Sequence, residues 1–232
     1  MIELFNKYKN LLEERLDKLP LLNIGEDSIR YDFFAALMET YSFRPSQIRL
    51  EVAIHQNCFV PVKDIKALRK EKPMVDLVVK EPELHISVEF GLFRQNSNKD
   101  GTINKTARTV KMLNDMIRVA LEKHFTGTRG LFICVADHKM LGHQLSSKIL
   151  GRFPSDYLIT NDIIERQLKK KTNQFDRRFL KVFQPMNSQI RSELIYNRLL
   201  KAKQINNPTY LLIWDVGIEP GLKMETKLLP TG

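Results

Sequence analysis

Two apolar segments joined by a proline-containing turn constrain the fold of this chain most strongly. Residues 74–80 (MVDLVVK) and 85–93 (HISVEFGLF) alternate in character along their length, which is the period-two pattern of β-strands. The segment between them contains Glu81, Pro82 and Glu83, and a short proline-containing segment is typical of a tight turn. The pattern therefore predicts an antiparallel hairpin whose turn is centred on Pro82 and Glu83.

Two acidic residues interrupt the apolar pattern of this hairpin. With the turn at that position, Asp76 lies opposite Glu89, and directly opposed Cβ atoms are about 4.5–5.5 Å apart. Two carboxylates that close raise each other's pKa unless a cation neutralises them. Oxygen ligands without Cys or His suit Mg²⁺, so the pair predicts a magnesium site. The alternative is a water-exposed sheet face, on which acidic residues commonly alternate with apolar ones.

The flanking segments extend the hairpin into a larger α/β unit. Apolar periodicity predicts helices over 2–18 and over about 103–124, and strands over 48–55 and 130–136. It also predicts a second helix, which Gly25, Glu26 and Asp27 open and Pro45 closes. The central order is then helix, three strands, helix and strand. This order predicts an α/β fold in which a mixed sheet carries helices.

The remainder of the chain is expected to form a helical extension that ends in a strand. Helical spacing extends over 141–150, 161–171 and 188–204, and TYLLIWDVG after Pro208 predicts the last strand. The sequence contains no internal repeat and no clear linker. We therefore expect a single domain over residues 1–232, with 137–232 as its C-terminal extension.

The string PMVDLVVK…LHISVEFG, in this order of elements, resembles the PD-(D/E)XK nuclease superfamily. Its core runs α-β-β-β-α-β, with an Asp at the start of the second strand and (D/E)-x-K on the third. Asp76 matches the Asp and Glu89 the acidic residue, whereas Gly91 stands at the lysine position and Pro73 is three residues from Asp76 instead of adjacent. The resemblance covers residues 26–136 and implies a restriction-endonuclease-like core there.

The resemblance also implies a reaction and its ligands. It implies a Mg²⁺-dependent (or Mn²⁺-dependent) endonuclease, of the restriction type, that hydrolyses phosphodiester bonds in double-stranded DNA and acts as a homodimer. Asp76 and Glu89 would be catalytic residues and metal ligands, and the backbone carbonyl of Phe90 would be a further ligand. If Gly91 instead marks a site without activity, the same fold would serve as a nucleic-acid-binding or assembly module. A basic protein-interaction domain would need no site at all.

Further acidic residues of the superfamily have candidates here. Many members have a Glu on the first helix, a place that Glu39 matches and Glu26 matches less well. Some members have an acidic residue on the first core strand, where Glu51 lies on the polar face. Each of these residues could instead be an ordinary surface glutamate.

Lys111 is the candidate for the missing lysine. The third strand is expected to end near Phe93, about 13 Å beyond Glu89 at ~3.3 Å per residue. A helix packing back across the sheet covers that distance in about nine residues at ~1.5 Å each, which brings Lys111 level with Glu89. The small Gly91 is expected to leave room for its ammonium. The alternative is a solvated lysine at the helix rim, and the next candidates are Lys105 and Arg108.

The net charge of +10 favours an anionic partner, although it does not choose between nucleic acid, an acidic protein and a membrane surface. The most basic segment is 166–181, which is either a solvated face or a DNA contact. The residues predicted to bind nucleic acid are Lys169, Lys170, Lys171, Arg177 and Arg178.

Cysteine usage and hydropathy bear on the location of the protein. The two cysteines, Cys58 and Cys134, lack the CxxC spacing of a zinc knuckle and are too few for a disulfide framework. The N-terminus has no signal-peptide pattern, and no segment reaches the ~18 apolar residues that span a bilayer. We therefore expect a soluble, cytoplasmic protein that does not act at a membrane.

Overall fold

The computed structural model describes residues 1–61, 73–96, 101–145, 150–168 and 175–221. Within these ranges the chain forms five α-helices and seven strands. In chain order they are α1 (Ile2–Lys18), α2 (Glu26–Tyr41), β1 (Ile48–Ala53), β2 (Met74–Glu81), β3 (Leu84–Phe93), α3 (Lys105–Thr126), β4 (Arg129–Asp137), β5 (Tyr157–Ile159), α4 (Asn161–Leu168), α5 (Arg177–Phe183), β6 (Ser188–Leu199) and β7 (Thr209–Pro220).

All seven strands belong to one sheet, in the order β1-β2-β3-β4-β7-β6-β5. Strands β3 and β4 run parallel, while the other neighbouring strands are antiparallel. The parallel pair requires a crossover, which α3 supplies. The prediction of an α/β fold with a mixed sheet is confirmed at this level.

The hairpin of β2 and β3 has the predicted turn. Glu81 pairs with Leu84, which leaves Pro82 and Glu83 as the two turn residues. Leu77 pairs with Val88, so the next step of the same register sets Asp76 opposite Glu89. The turn therefore fixes which residues of the two strands become neighbours.

Helices cover both faces of the sheet. One face packs against α1 and α2 in a core that includes Phe33, Leu77 and Phe90. The other face packs against α3. Met116 of α3 and Trp214 of β7 belong to this second core. The alternative of a water-exposed sheet face is therefore wrong for Glu89, which is buried, whereas Asp76 is half-buried. No helix in the described parts of the chain has the length and apolar character needed to cross a bilayer.

The C-terminal extension is less helical than the sequence predicts. Residues 188–199 of the segment expected to be a helix form β6, which pairs with β7 along its whole length. A register shift between Leu194 and Tyr196 interrupts the alternation, and the resulting apolar spacing resembles that of a helix. Helix α4 begins where a helix was expected, but the described residues of 141–150 form turns and an isolated bridge. The extension thus adds three strands to the sheet.

The assignment of β6 as a strand can be tested by adjacent substitutions. Ile190 is fully buried, whereas Arg191 points outwards with 62% of its side chain exposed. We expect Ile190→Ala to lower the free energy of unfolding by about 2–5 kcal/mol, and Arg191→Ala to change it by about 0.5 kcal/mol or less. Urea unfolding of both variants measures this difference, and equal losses would contradict the inward position of Ile190 and the outward position of Arg191.

Candidate active site

Charged side chains from four elements meet in an open cleft of ≈ 630 Å³. Strands β2 and β3 supply one carboxylate each, the first turn of α2 supplies another, and α3 supplies one carboxylate and three cations. These residues are Asp76, Glu89, Glu26, Asp115, Arg108, Lys111 and Arg118. The parallel crossover places α3 over β3, which is why groups distant in sequence become neighbours here.

The Asp76–Glu89 pair lies at the base of the cleft. The backbone N–H of Phe90 donates to Oδ2 of Asp76 over 2.8 Å, so the pair is tied together by the hairpin. Glu89 is only 1% exposed, and Asp76 is half-buried. Burial raises the pKa of the Glu89 carboxyl well above its ordinary value; the Arg118 guanidinium acts in the opposite direction, and Asp76 adds to the rise. Ionising Glu89 is therefore costly at this position, and its charged form requires a cation nearby.

Helix α3 brings its charged residues to one side at spacings of four and three. Lys111, Asp115 and Arg118 recur at the period of the helix and face β3. The Nζ of Lys111 donates over 2.8 Å to the carbonyl oxygen of Phe90 and over 2.8 Å to Oδ2 of Asp115. Burial opposes the charge of Lys111, but the carboxylates of Asp115 and Glu26 outweigh it and raise its pKa. Lys111 is therefore protonated at neutral pH.

Arg118 is the direct partner of the buried Glu89. Its Nη1 donates to Oε1 of Glu89 over 2.9 Å, and its Nη2 to Oδ1 of Asp115 over 3.3 Å. Burial opposes this charge too, but Glu89 and Asp115 more than compensate and raise the pKa of Arg118. Its guanidinium carbon lies 5.7 Å from the ring centroid of Phe179 in α5. Sequence analysis gave neither Arg118 nor Asp115 a role, although their helical spacing from Lys111 was visible.

The start of α2 contributes Glu26 and Arg30. Oε1 of Glu26 lies 3.3 Å from Nζ of Lys111, and its Oε2 accepts a hydrogen bond of 3.2 Å from the backbone N–H of Leu92. Burial raises the pKa of the Glu26 carboxyl. One turn later, Nη1 of Arg30 lies 3.7 Å from Oδ1 of Asp76 and 3.4 Å from Oε1 of Glu51. Glu51 is thus at the outer edge of the site, with 63% of its side chain exposed.

Glu39, the preferred helix glutamate from the sequence, does not reach the cleft. It lies thirteen residues after Glu26 on the same helix, or about 20 Å along the axis at 1.5 Å per residue. There it pairs with Lys7 of α1 on the surface. The assignment of Glu39 to the site is therefore wrong, and Glu26 occupies the place expected for it. Hydrophobic spacing defined this helix but not which of its ends faces β3.

The expectation that Gly91 leaves room for a lysine is also wrong. A Cβ atom at Gly91 would lie 3.1 Å from ring atoms of both Phe93 and Phe132. Aromatic side chains therefore fill the space beside Gly91. Lys111 reaches the carbonyl of Phe90, one residue earlier.

The predicted nucleic-acid contacts are only partly described. Lys169, Lys170 and Lys171 lie outside the described residues. Arg177 is exposed at the start of α5, while Arg178 pairs with Asp176, whose Oδ2 is 2.6 Å from Nη2. Because Asp176 lines the cleft, α5 begins at its wall. Contact of these arginines with nucleic acid remains a prediction.

The donor atoms at the base of the cleft fit a hard cation. Asp76, Glu89 and the Phe90 carbonyl offer oxygen ligands, and Mg²⁺ typically takes one or two carboxylates while keeping several waters. Among the residues that the structure describes, no group of three or more His, Cys, Asp or Glu side chains is arranged as a metal site. Two carboxylates and a carbonyl thus make an open donor set instead of a closed cage.

Comparison with known proteins identifies no relative. The chain matches no protein-family model, and no match was found among curated proteins or solved structures. The chemistry of the site is therefore inferred from its own residues.

The buried carboxyl of Glu89 predicts a particular dependence of stability on pH. Its raised pKa means that the folded chain keeps a proton that the unfolded chain has lost, so this group makes stability fall as pH rises above about 4.5. The slope is at most about 1.4 kcal/mol per pH unit, until the folded-state pKa is passed. Glu89→Gln should remove this component, as measured by urea unfolding across a pH series.

Glu83→Gln is the matched control, because Glu83 is exposed in the turn of the same hairpin. Its pH profile should follow that of the wild type. If Glu89→Gln also followed the wild-type profile, Glu89 would not have the raised pKa assigned to it.

Proposed function

We propose that this protein is a divalent-metal-dependent nuclease that hydrolyses phosphodiester bonds in DNA. The observation that supports this most directly is the convergence of four groups at one end of the cleft. Asp76 and Glu89 lie side by side, the carbonyl of Phe90 follows them, and Nζ of Lys111 is 2.8 Å from that carbonyl. This is the set of groups that the resemblance to the PD-(D/E)XK superfamily implies, with the lysine supplied by a helix.

The two carboxylates and the Phe90 carbonyl would hold Mg²⁺ or Mn²⁺. Such a cation lowers the pKa of a bound water and neutralises charge on the phosphate. Asp76 is fixed for this task by the Phe90 N–H, and Glu89 is fixed by its burial between β3 and α3. Neither ligand must be recruited from a distant part of the chain.

Lys111 would position the attacking water and the phosphate. Its ammonium is a hydrogen-bond donor and a positive charge beside the Phe90 carbonyl. Asp115 fixes the direction of the ammonium, and Glu26 approaches it from α2. Removing Lys111 should therefore affect the reaction while leaving the two carboxylates in place.

A second candidate keeps the fold without the chemistry. Arg118 already neutralises Glu89, and Lys111 already occupies the carbonyl of Phe90. If a metal ion does not displace these contacts, they favour a nucleic-acid-binding or assembly module. A titration with Mn²⁺ separates the candidates, because only the nuclease requires binding that Asp76→Asn abolishes.

Cleavage of plasmid DNA in the presence of Mg²⁺ or Mn²⁺ is the first test. We expect Asp76→Asn and Lys111→Met each to lower the cleavage rate by about 100-fold or more, the size typical of losing a positioned charge at a reacting centre. Lys105→Met is the matched control, because Lys105 belongs to the same helix but does not line the cleft. Cleavage by Lys111→Met at the wild-type rate would contradict its proposed role.

DNA binding is expected to weaken steeply with salt. Each phosphate neutralised by Lys or Arg contributes about 0.9 to the slope of log affinity against log salt. Replacing Lys169, Lys170 and Lys171 by Ala should flatten that slope. The control replaces three exposed lysines near the end of α1, Lys18, Lys201 and Lys203, and makes the same change of net charge. Equal slopes for the two triple variants would exclude the segment from the interface.

A further inference from the structure

The side chain of Arg118 is more exposed than the Glu89 carboxylate with which it pairs. The side chain of Glu89 is 2% exposed, whereas that of Arg118 is 23% exposed. The Glu89 carboxylate is thus almost fully covered, whereas part of the Arg118 side chain is exposed in the cleft that both residues line. Any cation that reaches Glu89 from the cleft must approach the positive charge of Arg118.

A divalent cation and the guanidinium cannot both neutralise Glu89 without repelling each other. The separation between them would be a few ångströms in a partly desolvated site, where charges interact far more strongly than in water. Nη1 of Arg118 already takes Oε1 of Glu89 at 2.9 Å. A divalent cation bound at Glu89 would therefore weaken or displace this contact.

An Arg118 side chain displaced from Glu89 would still be held at the cleft. Nη2 donates to Oδ1 of Asp115, and the guanidinium lies over the ring of Phe179. Both anchors belong to the walls formed by α3 and α5, so the side chain has partners other than Glu89. A planar guanidinium with free N–H groups is well suited to a phosphate oxygen.

We propose that Arg118 exchanges partners when the site is loaded. In the metal-free protein it is the counter-ion of Glu89, and when a divalent cation takes Glu89 it binds a phosphate of the DNA in the cleft. This inference rests on the proposed nuclease function and adds a residue to it. Removing the Arg118 side chain should therefore strengthen metal binding and weaken DNA binding.

The first arm of the test measures Mn²⁺ binding by the electron paramagnetic resonance of free Mn²⁺, without DNA and at about pH 8, where a proton competes less for Glu89. Arg118→Met should bind Mn²⁺ about tenfold more tightly than the wild type, or more. Arg118→Lys keeps the charge and should stay closer to the wild type. Arg108→Met is the matched control, because Arg108 lines the same cleft from the same helix.

The second arm measures binding of a short mixed-sequence DNA duplex against salt, with Ca²⁺ as a second hard cation that takes oxygen ligands. A gel verifies that the duplex stays intact. With Ca²⁺ present, Arg118→Met should lower the slope of log affinity against log salt by about 0.9, the loss of one phosphate contact. In EDTA the slope should be unchanged, because Arg118 is then held by Glu89.

The outcomes separate this inference from the proposed function. If the wild type binds Mn²⁺ through Asp76 but Arg118→Met binds it no more tightly, the exchange is wrong and the nuclease proposal stands. If neither protein binds Mn²⁺, both proposals are wrong. If Mn²⁺ binding tightens but the Ca²⁺ slope does not change, Arg118 is a counter-ion without a phosphate role. Thermal unfolding of each variant verifies that it is folded.

Discussion

A carboxylate buried beneath a helix is the constraint on which the rest of this site depends. Glu89 lies on the central part of β3, which α3 covers, and burial raises its pKa well above the ordinary value. Arg118 pairs directly with Glu89, and Lys111 lies nearby. Asp115 forms an ion pair with each of these two cations and so holds them in place. Charged residues are rarely buried without such compensation, because leaving one charge unpaired costs several kcal/mol. The charges therefore form one network that spans strand and helix.

The same network explains why the cleft could support chemistry at a phosphate. The turn at Pro82 and Glu83 sets Asp76 beside Glu89, and the crossover to β4 carries α3 across them. Carboxylates and cations thus meet on rigid elements, which hold a reacting geometry better than loops do. A phosphate brought there would face positive side chains, and a hard cation would find oxygen donors.

The sequence predicted the positions of Asp76, Glu89 and Lys111 relative to one another, but not the other residues around them. Strict alternation and the proline turn fixed the hairpin and hence the Asp76–Glu89 pair, and helical rise brought Lys111 level with it. Glu39 was misplaced because helical periodicity cannot tell which end of α2 meets β3. Strand β6 was misread because its register shift imitates a helical period. Arg118 and Asp115 were given no role, because their role depends on the burial of Glu89, which cannot be read from the sequence.

We propose that Asp76, Glu89 and the Phe90 carbonyl form one cation site beside Lys111. Crystals of the protein soaked in Mn²⁺, with data collected at the manganese absorption edge, test this claim directly. We expect an anomalous peak between the two carboxylates and within bonding distance of the Phe90 oxygen. An empty cleft in which Arg118 still pairs with Glu89, at a Mn²⁺ concentration that loads other surface carboxylates, would contradict it.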